Sequence, residues 1–201
     1  KMNSITEQGV IDKLYEASQA GVEIMLVVRG ICCLRPGVPG LSDNIRVFSV
    51  IGRYLEHSRI YRFGTSVAER VYLIGSADLM SRNLHRRVEA CVAVDDPSLT
   101  RRLDEILESA LRDDVLAWEL HPDGTWTRVP GATDHEHHAY LQAAAQRRAP
   151  NRAQVIRLEE VRIEGRVQKP NAFYILTRSN LGYEVLDLRD SFVREVIRSV
   201  Q

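Results

Sequence analysis

The run Val22-Glu23-Ile24-Met25-Leu26-Val27-Val28 narrows the possible folds more than any other part of the chain. It is nearly continuous in apolar, largely β-branched residues, the pattern of a strand covered on both faces of a sheet. Its uninterrupted stretch, Ile24 to Val28, is far too short to cross a bilayer. At its carboxyl end stand Arg29 and Gly30, the place where ligands gather in open α/β sheets.

The following segments fit such a sheet. Arg35-Pro36-Gly37-Val38-Pro39-Gly40 admits neither helix nor central strand and is predicted to be a stiff loop. Ile45 to Val50 returns to strand. Leu55 to Gly64 and Val71 to Gly75 are dense in β-branched and aromatic residues with glycine at their ends, so both are predicted strands. The second predicted strand runs on through Ser76-Ala77 to Asp78, and alternation along the first puts His57, Arg59 and Tyr61 on one side. A titratable imidazole beside a fixed cation suits a phosphorylated substrate, although an ordinary polar strand face has the same pattern. Glu89 to Val94 is a further strand, reached through the arginine-rich connection Ser81 to Val88.

Helices are predicted around these strands. Ser4-Ile5-Thr6-Glu7 has the form of a capping box, and Ile11, Leu14 and Ser18 keep helical spacing until Gly21. With Lys1 so close to this helix, the chain reads as cut from something longer. Asp96-Pro97 is an N-cap followed by proline at the first helical position. Leu99, Leu103, Ile106, Ala110 and Leu111 then form one face of a helix ending near Asp114. His121 to Gly124 is a turn, Thr125 to Val129 a short strand and Asp134 to Ala149 a helix. His135, His137 and His138 match no standard zinc spacing and are expected to form a solvated surface cluster, so no metal ligands are assigned. Beyond it, residues 150–201 read as a small α+β appendage without a chemical constellation. Its strands are Val161–Val167, Phe173–Thr177 and Tyr183–Leu188, and its closing helix is Ser191–Val200.

Composition excludes some functions. With 44% hydrophobic residues and 27 basic against 27 acidic side chains, the 201-residue chain is a globular protein without an all-over nucleic-acid coat. The charge is unevenly placed: Glu23 to Glu89 holds ten arginines and no lysine against six acids. Guanidinium forks suit bidentate phosphate contacts, although genomic base composition produces the same bias. Cys32, Cys33 and Cys91 are odd in number and partly adjacent, which fits reduced thiols in the cytoplasm.

The segment Val27-Val28-Arg29-Gly30-Ile31-Cys32-Cys33-Leu34-Arg35-Pro36-Gly37-Val38-Pro39-Gly40 closely resembles the last domain of the bacterial polyphosphate kinases. Tyr54-Leu55-Glu56-His57-Ser58-Arg59-Ile60-Tyr61 and Gly75-Ser76-Ala77-Asp78 through Arg86-Arg87-Val88-Glu89 continue the resemblance in order, over residues 1–149. That family is similar in fold to phospholipase D, which implies a mixed α/β sheet flanked by helices. Of the phospholipase half-motif, His57 and Gly75-Ser76 are present, Arg59 replaces the lysine and Asp78 stands near the asparagine position. The resemblance implies reversible transfer of the terminal phosphate of ATP to polyphosphate, through a phosphohistidine carried by a sister domain absent here. His57 would be the second active-site histidine, and Arg29 and His57 nucleotide-contacting residues. Arg59, Arg82, Arg86 and Arg87 are added as candidates for a polyanion path, each equally suited to a surface or salt-bridging role. Magnesium is expected to accompany the nucleotide, with ligands outside this chain. Partners are ATP or ADP, inorganic polyphosphate, the missing N-terminal domains and a possible second copy in a homo-oligomer. The fragment alone is expected to be inactive. Two rival functions are a dimeric phosphodiesterase or nuclease and a non-catalytic polyanion-binding module.

Overall fold

The structure, a computed structural model, describes residues 1–148 and the backbone of 173–176. Strands β1 (Ile24–Val27) and β2 (Ile45–Val50) pair in parallel. β6 (Ala117–Leu120) and β7 (Trp126–Arg128) extend β2 antiparallel, giving the order β1-β2-β6-β7. A second sheet has the order β3-β4-β5-β8, built from Arg59–Phe63, Val71–Gly75, Glu89–Val94 and Phe173–Leu176. β8 pairs in parallel with β5, and β3 and β4 are antiparallel neighbours. Helices α1 (Gln8–Gln19), α2 (Ser81–His85), α3 (Pro97–Arg112) and α4 (His137–Arg148) complete the described elements. The class is therefore mixed α/β, as expected, with the strands divided between two sheets.

Alternation along β1 explains the layering. Leu26 and Val28 join Ile45, Val47 and Leu120 in the core under α1, where Ile11, Val10 and Leu14 pack. Val27 points the other way, onto Val50, Ala110 and Ala117 beneath α3. The strand is thus covered on both faces at its carboxyl end. Its start is not, since Val22 is 51% and Met25 36% exposed.

The first six residues join the two sheets. On one edge, the Met2 N–H donates to the Val27 carbonyl at 2.9 Å, Gly30 N–H to Asn3 at 2.7 Å and Cys33 N–H to Ile5 at 2.9 Å. On the other, Ile60 N–H donates to the Lys1 carbonyl at 2.9 Å and Thr6 N–H to Leu79 at 2.9 Å. The predicted capping box is therefore not formed. Ser4 and Thr6 spend their backbone groups on Leu79, and α1 starts later, after a Glu7 N-cap with no side-chain cap. The helix ends as expected at Gly21, whose φ of 87° only glycine adopts without strain.

The second departure is the stretch around His57. β3 begins at Arg59, so Leu55 to Ser58 are irregular and His57 precedes the strand. The third is β6, a strand not predicted from sequence, which follows closely on α3, whose end at Arg112 is near the expected Asp114. Asp113 enforces the break: its Oδ1 accepts the N–H groups of Val115 at 3.0 Å, Leu116 at 2.5 Å and Ala117 at 2.9 Å. Its Oδ2 accepts the His137 N–H at 2.7 Å and so starts α4 as well. The α3 N-cap is as predicted, with Asp96 accepting from Ser98 and Leu99. Of the predicted α3 face, Leu99 is 55% exposed. Of the tail elements, Phe173–Leu176 is β8; the other three lie outside the described residues.

Of the expected surface histidine cluster, His135 is half-buried and the other two are instead interior. His137 is fully buried and His138 is 3% exposed. The His137 Nδ1 lies 3.0 Å from the Ser109 hydroxyl, which also meets His135 Nε2 at 3.0 Å. Burial lowers the His137 pKa to about 4. The sequence spacing is that of one helical turn, but α4 packs that turn against α3 and the loop after β2, not against water.

Two outcomes follow from these contacts. Ile5, fully buried and bridged to both Cys32 and Leu79, should cost about 2–5 kcal/mol when cut to alanine, read as a lower urea midpoint. Below its ordinary pKa of 6.5 the unfolded chain protonates His137 while the folded protein does not until about pH 4. Stability should therefore fall as pH drops through that window, and less steeply in His137→Gln. The comparison isolates the imidazole from other groups that titrate in the same window.

Candidate functional site

Arg29 follows β1, and its backbone N–H is held by the Met2 carbonyl at 3.2 Å. Its side chain lines an open cleft of about 290 Å³ together with Val50, Gly52, Tyr54 and Glu56. A whole drug-sized ligand needs a pocket of about 300–1,000 Å³, so this cleft is sized for part of one. The Arg29 Nη1 is enclosed yet has no hydrogen-bond partner among the described residues. A buried guanidinium nitrogen without an acceptor is costly unless a ligand supplies one.

His57 comes directly after the cleft residue Glu56 and is exposed. The Arg59 Nη1 donates to the His57 carbonyl at 2.9 Å and lies 3.1 Å from the ring Nδ1. The rest of the Arg59 fork grips Asp78, through Nε at 3.2 Å and Nη2 at 3.0 Å. Asp78 is fixed in turn by the Asn3 N–H at 2.7 Å. Burial works against ionising Asp78, but the Arg59 and Asn3 donors outweigh it and hold its pKa below the usual carboxylate range. Asn3, Asp78, Arg59 and His57 thus form a chain of contacts that ends at an exposed imidazole.

The Glu56 carboxylate divides its two oxygens. Oε2 lies 2.5 Å from Lys1 Nζ and Oε1 2.8 Å from His138 Nε2. Burial again opposes ionisation, but Lys1 and the two histidines hold the Glu56 pKa down. Lys1 Nζ also donates to the Ser58 hydroxyl at 2.9 Å. Met2 thus holds the Arg29 backbone, while Lys1 holds Glu56 and Ser58, the neighbours of His57 on either side.

Gly75-Ser76 ends β4, and the Ser76 hydroxyl donates to the buried Glu89, which also accepts from Asn83 Nδ2 at 2.5 Å. Arg82, Arg86 and Arg87 lie on α2 and just after it, all exposed. None of their guanidinium groups pairs with a carboxylate among the described residues. Arg59 differs from them, because Asp78 already occupies most of its donors. Among the described residues no group of three or more His, Cys, Asp or Glu is arranged to hold a metal ion.

Asn3, Lys1 and Glu56 were not singled out by sequence, and His138 was expected only in a solvated surface cluster. Their partners are distant along the chain, with Glu56 and His138 82 positions apart, and no spacing rule signals such a pair.

The comparisons with known proteins concern the family. A family model described as polyphosphate kinase C-terminal domain 2 matches residues 1–140. A polyphosphate kinase of Thermosynechococcus vestitus is 56% identical over 146 residues, 71% of this chain and 20% of that protein. One from Synechocystis sp. is 60% identical over 128 residues, 64% of this chain and 17% of its own length. The crystal structure of polyphosphate kinase from Porphyromonas gingivalis superposes with a TM-score of 0.67 at 40% identity, covering 73% of this chain and 23% of that one. The chain thus spans about a fifth of the length of the curated relatives it matches. Matched by the family model over more than two thirds of its length, it belongs to the polyphosphate kinase C-terminal domain 2 family.

Proposed function

We propose that this chain supplies the nucleotide- and phosphate-contacting side of a polyphosphate kinase, which moves the terminal phosphate of ATP to polyphosphate and back. The observation that carries the proposal is the enclosed, unpartnered Arg29 Nη1 in a cleft beside His57. Phosphoryl transfer depends on positioning and on neutralising charge spread over phosphate oxygens. Arg29 serves as the phosphate clamp, its buried nitrogen taking an oxygen as acceptor. His57 donates or accepts a proton at the phosphate, with Arg59 orienting its ring. The histidine that carries the phosphate is assigned to a sister domain, so this chain holds an incomplete constellation.

Arg82, Arg86 and Arg87, exposed just beyond Asp78, are assigned to the path of the polyphosphate chain. The family unit is assigned to residues 1–149, the remainder to an appendage, and the protein to the cytoplasm. Magnesium would come with the nucleotide, held by groups outside this chain. A homo-oligomer is compatible with the family assignment. No helix among the described residues is long and apolar enough to cross a membrane. The phosphodiesterase alternative needs the cation two residues after the histidine to reach substrate, and here Asp78 grips that cation.

Incubated with radiolabelled ATP, the chain should bind nucleotide but form no acid-labile phosphoprotein. Arg29→Ala should weaken ATP binding about ten- to a hundredfold, the scale of a lost hydrogen bond to a charged group. Robust labelling of the isolated chain would contradict the division of labour.

A further inference from the structure

The wall of the Arg29 cleft is a loop, Gly52 to Glu56, that belongs to no strand or helix. A loop of this kind holds a site only if something rigid supports it. The support is His138, on the first turn of α4. The Tyr54 N–H meets His138 Nδ1 at 3.3 Å, and His138 Nε2 meets Glu56 Oε1 at 2.8 Å. Since Nδ1 must accept from a backbone N–H, the proton of a neutral ring sits on Nε2 and is donated to Glu56. The Tyr54 ring packs on the imidazole with centroids 5.5 Å apart. Gly52 approaches so closely that a Cβ there would lie 2.8 Å from His138 Nδ1 and 2.5 Å from Leu116 Cδ1. One imidazole therefore touches the beginning, middle and end of the loop.

We propose that His138 is a positioning residue for the phosphate-binding cleft, clamping the Gly52–Glu56 loop and thereby setting where Arg29 and His57 meet a phosphate. This rests on the phosphate-binding function proposed above. His138 touches no substrate; it acts through Glu56 and Tyr54. The charged and titratable groups around it are Glu56, Lys1 acting on the other oxygen of Glu56, and His137, whose Nε2 is 3.6 Å from Glu56 Oε1. The shorter, charge-assisted contact to Glu56 carries more of the clamp than the longer one to Tyr54.

The test uses the whole 201-residue chain with tripolyphosphate as the probe, titrated calorimetrically. His138→Gln keeps a donor near the Nε2 position. His138→Asn keeps only an acceptor near Nδ1, and His138→Phe keeps the ring shape with neither group. Asn and Phe should weaken tripolyphosphate about tenfold, the scale for a lost supporting hydrogen bond, while Gln restores binding to near the wild-type value. A role confined to stability predicts no such rescue, and urea midpoints measured alongside report it separately. Ring ¹⁵N shifts of His138 should report the Nε2–H tautomer in the unliganded wild type. Equal binding by all the variants, a Gln variant as weak as Phe, or an Nδ1–H tautomer would each overturn the clamp. Arg29→Ala is the separating control. If it binds tripolyphosphate as tightly as wild type, the phosphate-binding reading falls, and the tautomer still decides whether His138 holds the loop.

Discussion

The arrangement depends on one short extended segment that is hydrogen-bonded along both of its edges. Lys1 to Thr6 gives its backbone groups to residues 27–33 on one side and to residues 60 and 79 on the other. A strand paired on one edge could be lost from a sheet margin at modest cost. Paired on both, it is the seam between two sheets, and no other described element contacts both in this way. Its side chains add to the seam: Met2 and Ile5 fill the core below α1, Asn3 binds Asp78 and Lys1 binds Glu56.

The electrostatics follow from that placement. Asp78 and Glu56 are both largely enclosed, and a buried carboxylate persists only with charge-assisted partners. Each is met by one residue of the seam and by one residue from elsewhere, Arg59 for Asp78 and His138 for Glu56. The two carboxylates thereby fix opposite sides of His57, one through the residue before it and the other through Arg59. The imidazole stays exposed while its backbone is held, which suits a group that must exchange protons without wandering.

Much of this was legible in the sequence where the signal is local. The apolar run ending at Arg29, the loop from Arg35 to Gly40, the N-cap at Asp96 and the strand Glu89–Val94 all depend on neighbours within a few residues. The resemblance to the polyphosphate kinases was carried by ordered segments such as Arg29-Gly30-Ile31-Cys32-Cys33, and the matched family bears it out. What failed was local form overruled by distant pairing. Ser4-Ile5-Thr6-Glu7 has every residue of a capping box, yet Leu79 claims its backbone. The histidines of α4 look solvated by spacing alone and are buried because α3 and the Tyr54 loop close over them. Of the predicted site, Arg29 lines a cleft that ends at Glu56, the residue before His57, whereas Asp78 folds back onto Arg59 and grips its guanidinium.

The central claim is that Arg29 and His57 act on a single anion. The direct measurement is a tripolyphosphate titration of the chain followed by NMR, observing the Arg29 side-chain Nε–H and the His57 ring together. The account predicts that both signals shift along one isotherm with one midpoint. Movement of either signal alone, or two distinct midpoints, would contradict it.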